Sequence, residues 1–209
     1  MRCELVTWGE VYRLSRCLAE MIRQADFRPE VVVAIARGGY VPARILCDFL
    51  GIYNLVSIRI AHYESGAHIT EQARLSSPLA LDVRGLKVLL VDDVSDTGET
   101  LALAVKHIQS FAPAQLRLAV LHHKEVSPVI PDFFAKTIVK WRWLVYPWAV
   151  IEDLSSFVAG MSEHPDSAEE TVCRLKAQHG IDVPLRTAED VVVALRYQRN
   201  CPDAPRAPA

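Results

Sequence analysis

The stretch VLLVDDVSDTGET, from Val88 to Thr100, constrains this chain more than any other. Val88 to Val91 is a short, wholly apolar run, the pattern of a strand buried on both faces of a parallel sheet. It runs straight into two adjacent carboxylates, Asp92 and Asp93, with Asp96 close behind. Thr97, Gly98, Glu99 and Thr100 then open a helix whose apolar positions are Leu101, Leu103, Ala104, Val105, Ile108 and Phe111. Parallel sheets place their ligands beyond the carboxyl ends of the strands, where this segment falls. Amide N–H groups at a helix start, reinforced by the helix dipole and approached past small side chains, form a cradle for phosphate. Carboxylates accept hydrogen bonds from ribose hydroxyls, and hard oxygen ligands suit Mg²⁺. The segment therefore predicts a phosphorylated sugar bound together with a metal. Taken singly, each of these residues is more often a helix cap or a turn; their conjunction at a buried strand end is far more specific.

The rest of the chain supplies the sheet. Thr7 to about Gln24 reads as a helix, with capping-box spacing between Thr7 and Glu10 and one apolar face through Val11, Leu14, Cys17, Leu18, Met21 and Ile22. VVVAIA, Val31 to Ala36, is a second buried strand and ends in Arg37-Gly38-Gly39. Pro42 is placed to open the next helix, which Gly51 stops. Strands are expected at Leu55 to Ala61, Leu116 to Leu121 and Thr137 to Val145. Strand alternating with helix calls for a mostly parallel α/β sheet flanked by helices. Between Tyr63 and about Ala80 the sequence is polar and without clear period, and so long a connection suggests a lid over a site, with a disordered or hairpin excursion as the alternative. After about Gly160 the composition changes. Two short amphipathic helices, with Ser167 and Thr187 as N-caps, precede a Pro-rich polar tail. The expected division is a main domain over 1–159, a small helical C-terminal extension over 160–200 and a disordered tail over 201–209.

Net charge is −2, which gives no general attraction to nucleic acid or to an anionic membrane. No apolar run reaches membrane-spanning length, and MRCELVTWGE lacks the core of a signal peptide. The five cysteines are scattered without zinc-ligand spacing, as in a reduced, cytoplasmic protein. No G-x-G-x-x-G follows a strand and no G-x-x-x-x-G-K-[ST] is present, which disfavours dinucleotide and P-loop sites.

The Val88–Thr100 segment closely resembles the binding motif for phosphoribosyl pyrophosphate (PRPP) in type I phosphoribosyltransferases: four apolar residues, two acidic, two variable, then Asp-Thr-Gly-x-Thr. The resemblance implies the type I phosphoribosyltransferase fold and an Mg²⁺-dependent enzyme. It implies that Asp92 and Asp93 meet the ribose hydroxyls and the metal shell, and that Asp96, Thr97, Gly98, Glu99 and Thr100 hold the 5-phosphate. Arg37 and Gly38 lie in the loop that binds pyrophosphate in the family. A glycine pair permits close approach to an anion and arginine offers a forked donor, so these residues also fit that role on their own chemistry. The Tyr63–Ala80 excursion matches the family's flexible loop, with Tyr63 and Arg74 as guesses for its active residues.

Lys124 follows His122-His123, and Trp143-Leu144-Val145-Tyr146-Pro147-Trp148 ends a later strand. A lysine can donate to a ring carbonyl and an aromatic can stack on a base. The arrangement resembles the purine end of xanthine-guanine and archaeal hypoxanthine-guanine phosphoribosyltransferases. This implies that Lys124 reads the 6-oxo group, Trp143 stacks and the Leu144 backbone meets the base edge. Asp96 becomes the candidate general base. Bacterial relatives place Asp directly after Pro-Trp, whereas this chain has Ala149, which leaves the choice among hypoxanthine, guanine and xanthine open. Purine salvage as a homo-oligomer is the expectation. A PRPP- or purine-binding transcription regulator of the same fold, or an enzyme for another base, are the alternatives.

Overall fold

The structure, a computed structural model, describes residues 1–63 and 72–200. Its described chain divides into two compact units, one formed by Gly9–Trp141 and the other by Met1–Trp8 with the chain from Arg142 onward.

In the first unit, β2 (Val31–Ala36) is buried at every position. Such a strand needs cover on both faces, and the unit provides it. β2 lies at the middle of a six-stranded sheet with β3 (Leu55–Tyr63), β4 (Gln72–Ser77), β5 (Lys87–Ser95), β6 (Gln115–Lys124) and β7 (Phe133–Ile138), in the order β4-β3-β2-β5-β6-β7. All neighbours are parallel except β3 and β4, which pair antiparallel at the edge. Val31, Val33 and Ile35 of β2, Val88 and Leu90 of β5 and Leu118 and Val120 of β6 share one core with Leu101, Ala104 and Ile108 of α3 (Glu99–Gln109). The alternate residues Val32, Ala34, Leu89 and Val91 are equally buried. α2 (Tyr40–Leu50) packs on β2, β3 and β5. α1 (Trp8–Gln24) buries Val11, Leu14, Leu18 and Ile22, and its Glu10 accepts from Lys136 of β7 at 2.9 Å.

From β2 the chain steps to β3 and β4 on one side, then returns past β2 to β5 and continues to β6 and β7 on the other. The crevice at the carboxyl ends of β2 and β5 is thus the switch point of the sheet, where an open α/β sheet binds its ligand.

In the second unit, β1 (Cys3–Leu5) pairs in parallel with β8 (Trp143–Val145), Glu4 opposite Leu144. α4 (Val150–Ala159), α5 (Ala168–His179) and α6 (Leu185–Asn200) enclose Leu154, Val158, Met161, Leu175, Ile181, Val183 and Val191. The composition change near Gly160 therefore lies inside a unit, since α5 and α6 share their core with α4.

Four expectations need correction. The single strand expected over Thr137–Val145 is two: β7 ends at Ile138 in the large sheet, and β8 pairs with β1 instead. The segment read as an aperiodic excursion contains β4, so the hairpin alternative holds for its ends. Ala73 and Leu75 pack on the core while Arg74 and Ser76 face out, a period-2 pattern hidden by its polarity. Residues 64–71, the heart of the expected lid, lie outside the described residues, as does the tail over 201–209. Pro42 is the third residue of α2 rather than its opener, and Gly39 stands at the N-cap; within the first turn the missing N–H still costs nothing. Finally, Thr187 lies inside α6, which begins at Leu185.

Ser167, by contrast, caps α5: its hydroxyl accepts from the Glu170 N–H at 3.1 Å, and the Glu170 carboxylate accepts from the Asp166 N–H at 2.8 Å. Ser167→Ala should cost about 1 kcal/mol in denaturant unfolding. Thr187→Ala, at a helix-interior position where alanine is favoured, should leave stability unchanged or slightly higher.

Candidate active site at the carboxyl ends of β2 and β5

β5 continues as a strand through both acidic residues, Asp92 pairing in register with Val120 and Ser95 with His123. Asp92 is buried and Asp93 half-buried. Burial pushes the Asp92 carboxyl well above the usual carboxylate range and the Asp93 charge pushes it further, against the Asp93 N–H, which donates to Asp92 Oδ1 at 2.9 Å. An acid in such a place is poised for a partner that brings positive charge or hydroxyl donors.

After β5 the chain turns through Asp96 and Thr97 into α3. The Ser95 hydroxyl donates to Ser127 Oγ at 2.8 Å and approaches the Val129 carbonyl at 3.1 Å, fixing the base of the turn. Gly98 has φ +83°, and a Cβ there would lie 2.9 Å from Val129 Cγ2 and 3.0 Å from Ser127 Oγ. Only glycine satisfies both the backbone angle and the space. Thr97 and Glu99 are exposed and Thr100 half-buried around the first turn of α3, whose leading N–H groups have no acceptor within the helix.

The β2–α2 loop meets the end of β5. A Cβ on Gly38 would sit 2.3 Å from Asp93 Oδ2, and one on Gly39 would sit 2.3 Å from the Val91 carbonyl oxygen. The Gly39 N–H donates to the Ile35 carbonyl at 2.8 Å, folding the loop back on its strand, and leaves Arg37 exposed at the rim. Two segments separated by more than fifty residues thus join at one crevice.

The third element comes from the end of β6. Lys124 is 2 % exposed, and its Nζ donates to Asp96 Oδ2 at 2.5 Å. Trp141 donates its indole N–H to Asp96 Oδ1 at 3.0 Å, and the ammonium lies 4.4 Å from the Trp141 ring centroid. A buried ammonium is tolerable with a carboxylate and an aromatic face around it. Beside it, the His123 ring lies tilted against Phe134 with centroids 5.0 Å apart, and burial pulls its imidazole down toward the neutral form.

A strand-end acidic pair, a glycine-dependent turn into a helix and a glycine loop pressed against the strand end meet at one crevice. The sequence model described as "Phosphoribosyl transferase domain" matches residues 4–151. This chain belongs to the phosphoribosyltransferase family. It is 32 % identical to a xanthine-guanine phosphoribosyltransferase of Ruegeria sp. (strain TM1040) over 152 residues, covering 68 % of this chain and 83 % of that one. It is 28 % identical to the hypoxanthine-guanine phosphoribosyltransferase of Saccharomyces cerevisiae over 189 residues, covering 69 % and 85 %. Among solved structures, a purine phosphoribosyltransferase from Pyrococcus horikoshii Ot3 superposes with a TM-score of 0.63 at 32 % identity, covering 71 % of this chain and 94 % of that one.

Asp92, Asp93, Asp96, Thr97, Gly98, Glu99, Thr100, Arg37, Gly38 and Lys124 therefore all fall in the unit Gly9–Trp141 of this phosphoribosyltransferase. Trp143 and Leu144 lie on β8 in the other unit. There Trp143 is 37 % exposed and its indole donates to Asp153. Tyr63 ends β3, and Arg74 stands exposed on β4 opposite Ala61. Sequence reasoning missed Trp141 and the Ser127–Val129 support beneath Gly98. The Trp-x-Trp spacing of Trp141 and Trp143 was the available signal for the former.

Asp153 offers a titration free of the acidic pair. Its carboxyl is pushed up to about 6 by burial, opposed by the Trp143 N–H and assisted by the Glu152 charge. A carboxyl raised in the folded state contributes stability below its unfolded value and loses it as pH rises through the folded value. Asp153→Asn should therefore melt higher than the parent at pH 8, by about 2–4 °C for a gain on the order of 1 kcal/mol after allowance for partial exposure. The difference should disappear below about pH 4, where both side chains are neutral. Thermal melts across this range read it directly.

Proposed function

We propose that this phosphoribosyltransferase transfers the phosphoribosyl group of PRPP to a 6-oxopurine (hypoxanthine, guanine or xanthine), releasing pyrophosphate in purine salvage. The observation that carries this reading is the buried Lys124–Asp96 pair beside the phosphate cradle. It offers a donor for a ring carbonyl and an acceptor for an imidazole N–H a few ångströms apart, which is what a 6-oxopurine requires. The names of the Ruegeria, Saccharomyces and Pyrococcus relatives support the same base class.

In this reading the turn into α3 and its first residues, Asp96 to Thr100, hold the 5-phosphate, and Asp92 and Asp93 accept from the ribose hydroxyls. Arg37 and the Gly38 backbone hold the pyrophosphate. Trp143 as stacking residue and the Leu144 backbone at the base edge rest on the resemblance of Trp143-Leu144-Val145-Tyr146-Pro147-Trp148 to the family's purine end. A ring nitrogen of the base attacks the anomeric carbon with inversion, the bond to the pyrophosphate oxygen breaks, and the nitrogen's proton passes to the Asp96 carboxylate. Positive charge building on the sugar is met by the carboxylates of β5.

Mg²⁺ fits the donor set. Asp92 and Asp93 are adjacent hard oxygen donors, and a cation would offset the burial and the Asp93 charge that disfavour the ionised form of Asp92. Among the described residues no group of three or more His, Cys, Asp or Glu forms a cage, so the ion would share these carboxylates with substrate oxygens and water, the usual habit of Mg²⁺. When bound, it would neutralise charge on the departing pyrophosphate. No described helix is long and apolar enough to cross a membrane. We expect the enzyme to act in the cytoplasm as a homo-oligomer, on the family resemblance.

The test is pyrophosphate release from PRPP and Mg²⁺ with hypoxanthine, guanine, xanthine, adenine, uracil and orotate supplied separately. Turnover is expected with one or more 6-oxopurines, falling about a hundredfold or more in Asp96→Asn as the proton acceptor is lost. Tight PRPP binding with no turnover on any base would reject the salvage reading in favour of a regulator of the same fold.

A further inference from the structure

Both oxygens of Asp96 are already engaged. Oδ2 accepts from Lys124 at 2.5 Å and Oδ1 from the Trp141 indole N–H at 3.0 Å, while the Trp141 ring faces the same ammonium at 4.4 Å. The two partners differ in how they are held. Lys124 is fully buried at the end of β6, whereas Trp141 is 42 % exposed. Trp141 stands beyond the end of β7, on a connection whose Val139 is 69 % exposed and which no strand pairing restrains. It is not a core residue. Its indole N–H bonds to Asp96 and its ring faces Lys124.

An indole is a flat fused bicycle carrying one ring N–H. A 6-oxopurine is a flat fused bicycle whose imidazole ring also carries an N–H. The hydrogen bond that Trp141 makes to Asp96 is the one required of the incoming base under the function proposed above, on which this step rests. We infer that Trp141 is an internal stand-in for the base: in the empty enzyme it occupies the hydrogen-bonding position on Asp96 and covers Lys124, and it must leave before a purine can bind. Without it, the buried ammonium and carboxylate would face solvent or each other alone. With it, their demand is met at the expense of base affinity. A competitor of this kind lowers the apparent affinity of every base by one common factor, the fraction of enzyme in which the position is vacant. It leaves PRPP affinity untouched.

The experiment compares the parent with Trp141→Phe, which keeps an aromatic face for Lys124 but has no N–H for Asp96. The Michaelis constants for hypoxanthine and for guanine should both fall about tenfold, by the same ratio, with kcat and the constant for PRPP little changed. A tenfold fall corresponds to the Asp96–Trp141 bond being formed about nine-tenths of the time in the empty enzyme. A merely structural role would instead lower kcat and the melting temperature together. In the parent enzyme, tryptophan emission should shift to longer wavelength as hypoxanthine is titrated in, because the Trp141 indole exchanges Asp96 for water. This second readout stands if the variant folds poorly. Turnover with unchanged or raised base constants in Trp141→Phe, or emission that ignores the base, overturns the inference while leaving the salvage function intact. Absence of turnover with every base overturns both.

Discussion

The close approach of the β2–α2 loop to the end of β5 is the constraint on which the site rests. The Asp93 carboxylate occupies the space a side chain on Gly38 would need, and the Val91 carbonyl occupies the space of one on Gly39. These contacts set the two strand ends side by side at the switch point of the sheet. The acidic pair, the turn through Gly98 and the rim arginine Arg37 take their positions from that junction. The sheet makes the junction possible, because β2 and β5 are adjacent, parallel and buried on both faces, so neither can shift without exposing valine and leucine to water.

Charge inside such a site has to be compensated locally. Asp92 is buried beside a second carboxylate and holds its proton more tightly than an ordinary aspartate. Lys124 is buried more deeply still, yet it has Asp96 and the Trp141 face around it. The two answers differ because the second cluster carries its own counter-charge, whereas the first, under the proposed function, is left for a ligand to complete. Removing Asp96 leaves a buried ammonium with no carboxylate; asparagine also loses the charge but keeps an oxygen that can accept from Lys124, so it separates loss of charge from loss of the acceptor.

The buried strand of β5, its acidic end and the glycine turn into α3 were legible in the sequence, because their physics is local. An apolar run, adjacent acids and a Thr-Gly helix start are neighbours in the chain and neighbours in space. The capping role of Ser167 was legible for the same reason, since its partner is three residues away. What escaped is non-local. Trp141 reaches Asp96 across forty-five residues, and reading Thr137 to Val145 as one strand concealed that the chain leaves the sheet between them. β4 was hidden by serines and arginine on an edge strand with one wet face. α4 was not singled out, although Val150, Leu154 and Val158 repeat every four residues along it.

The pairing of β1 with β8 has a consequence for biosynthesis. Three residues at the very start of the chain hydrogen-bond to a partner near residue 145, and the core around Leu175 and Val191 lies later still. On the ribosome, roughly 7 to 28 seconds separate the emergence of one strand from that of its mate at ordinary elongation rates. The stretch from Gly9 to Trp141 holds its own sheet and core and can form during that interval. Cys3–Leu5 meanwhile waits with its strand edge bare, so the nascent chain carries an unsatisfied β-edge until Trp143–Val145 has emerged.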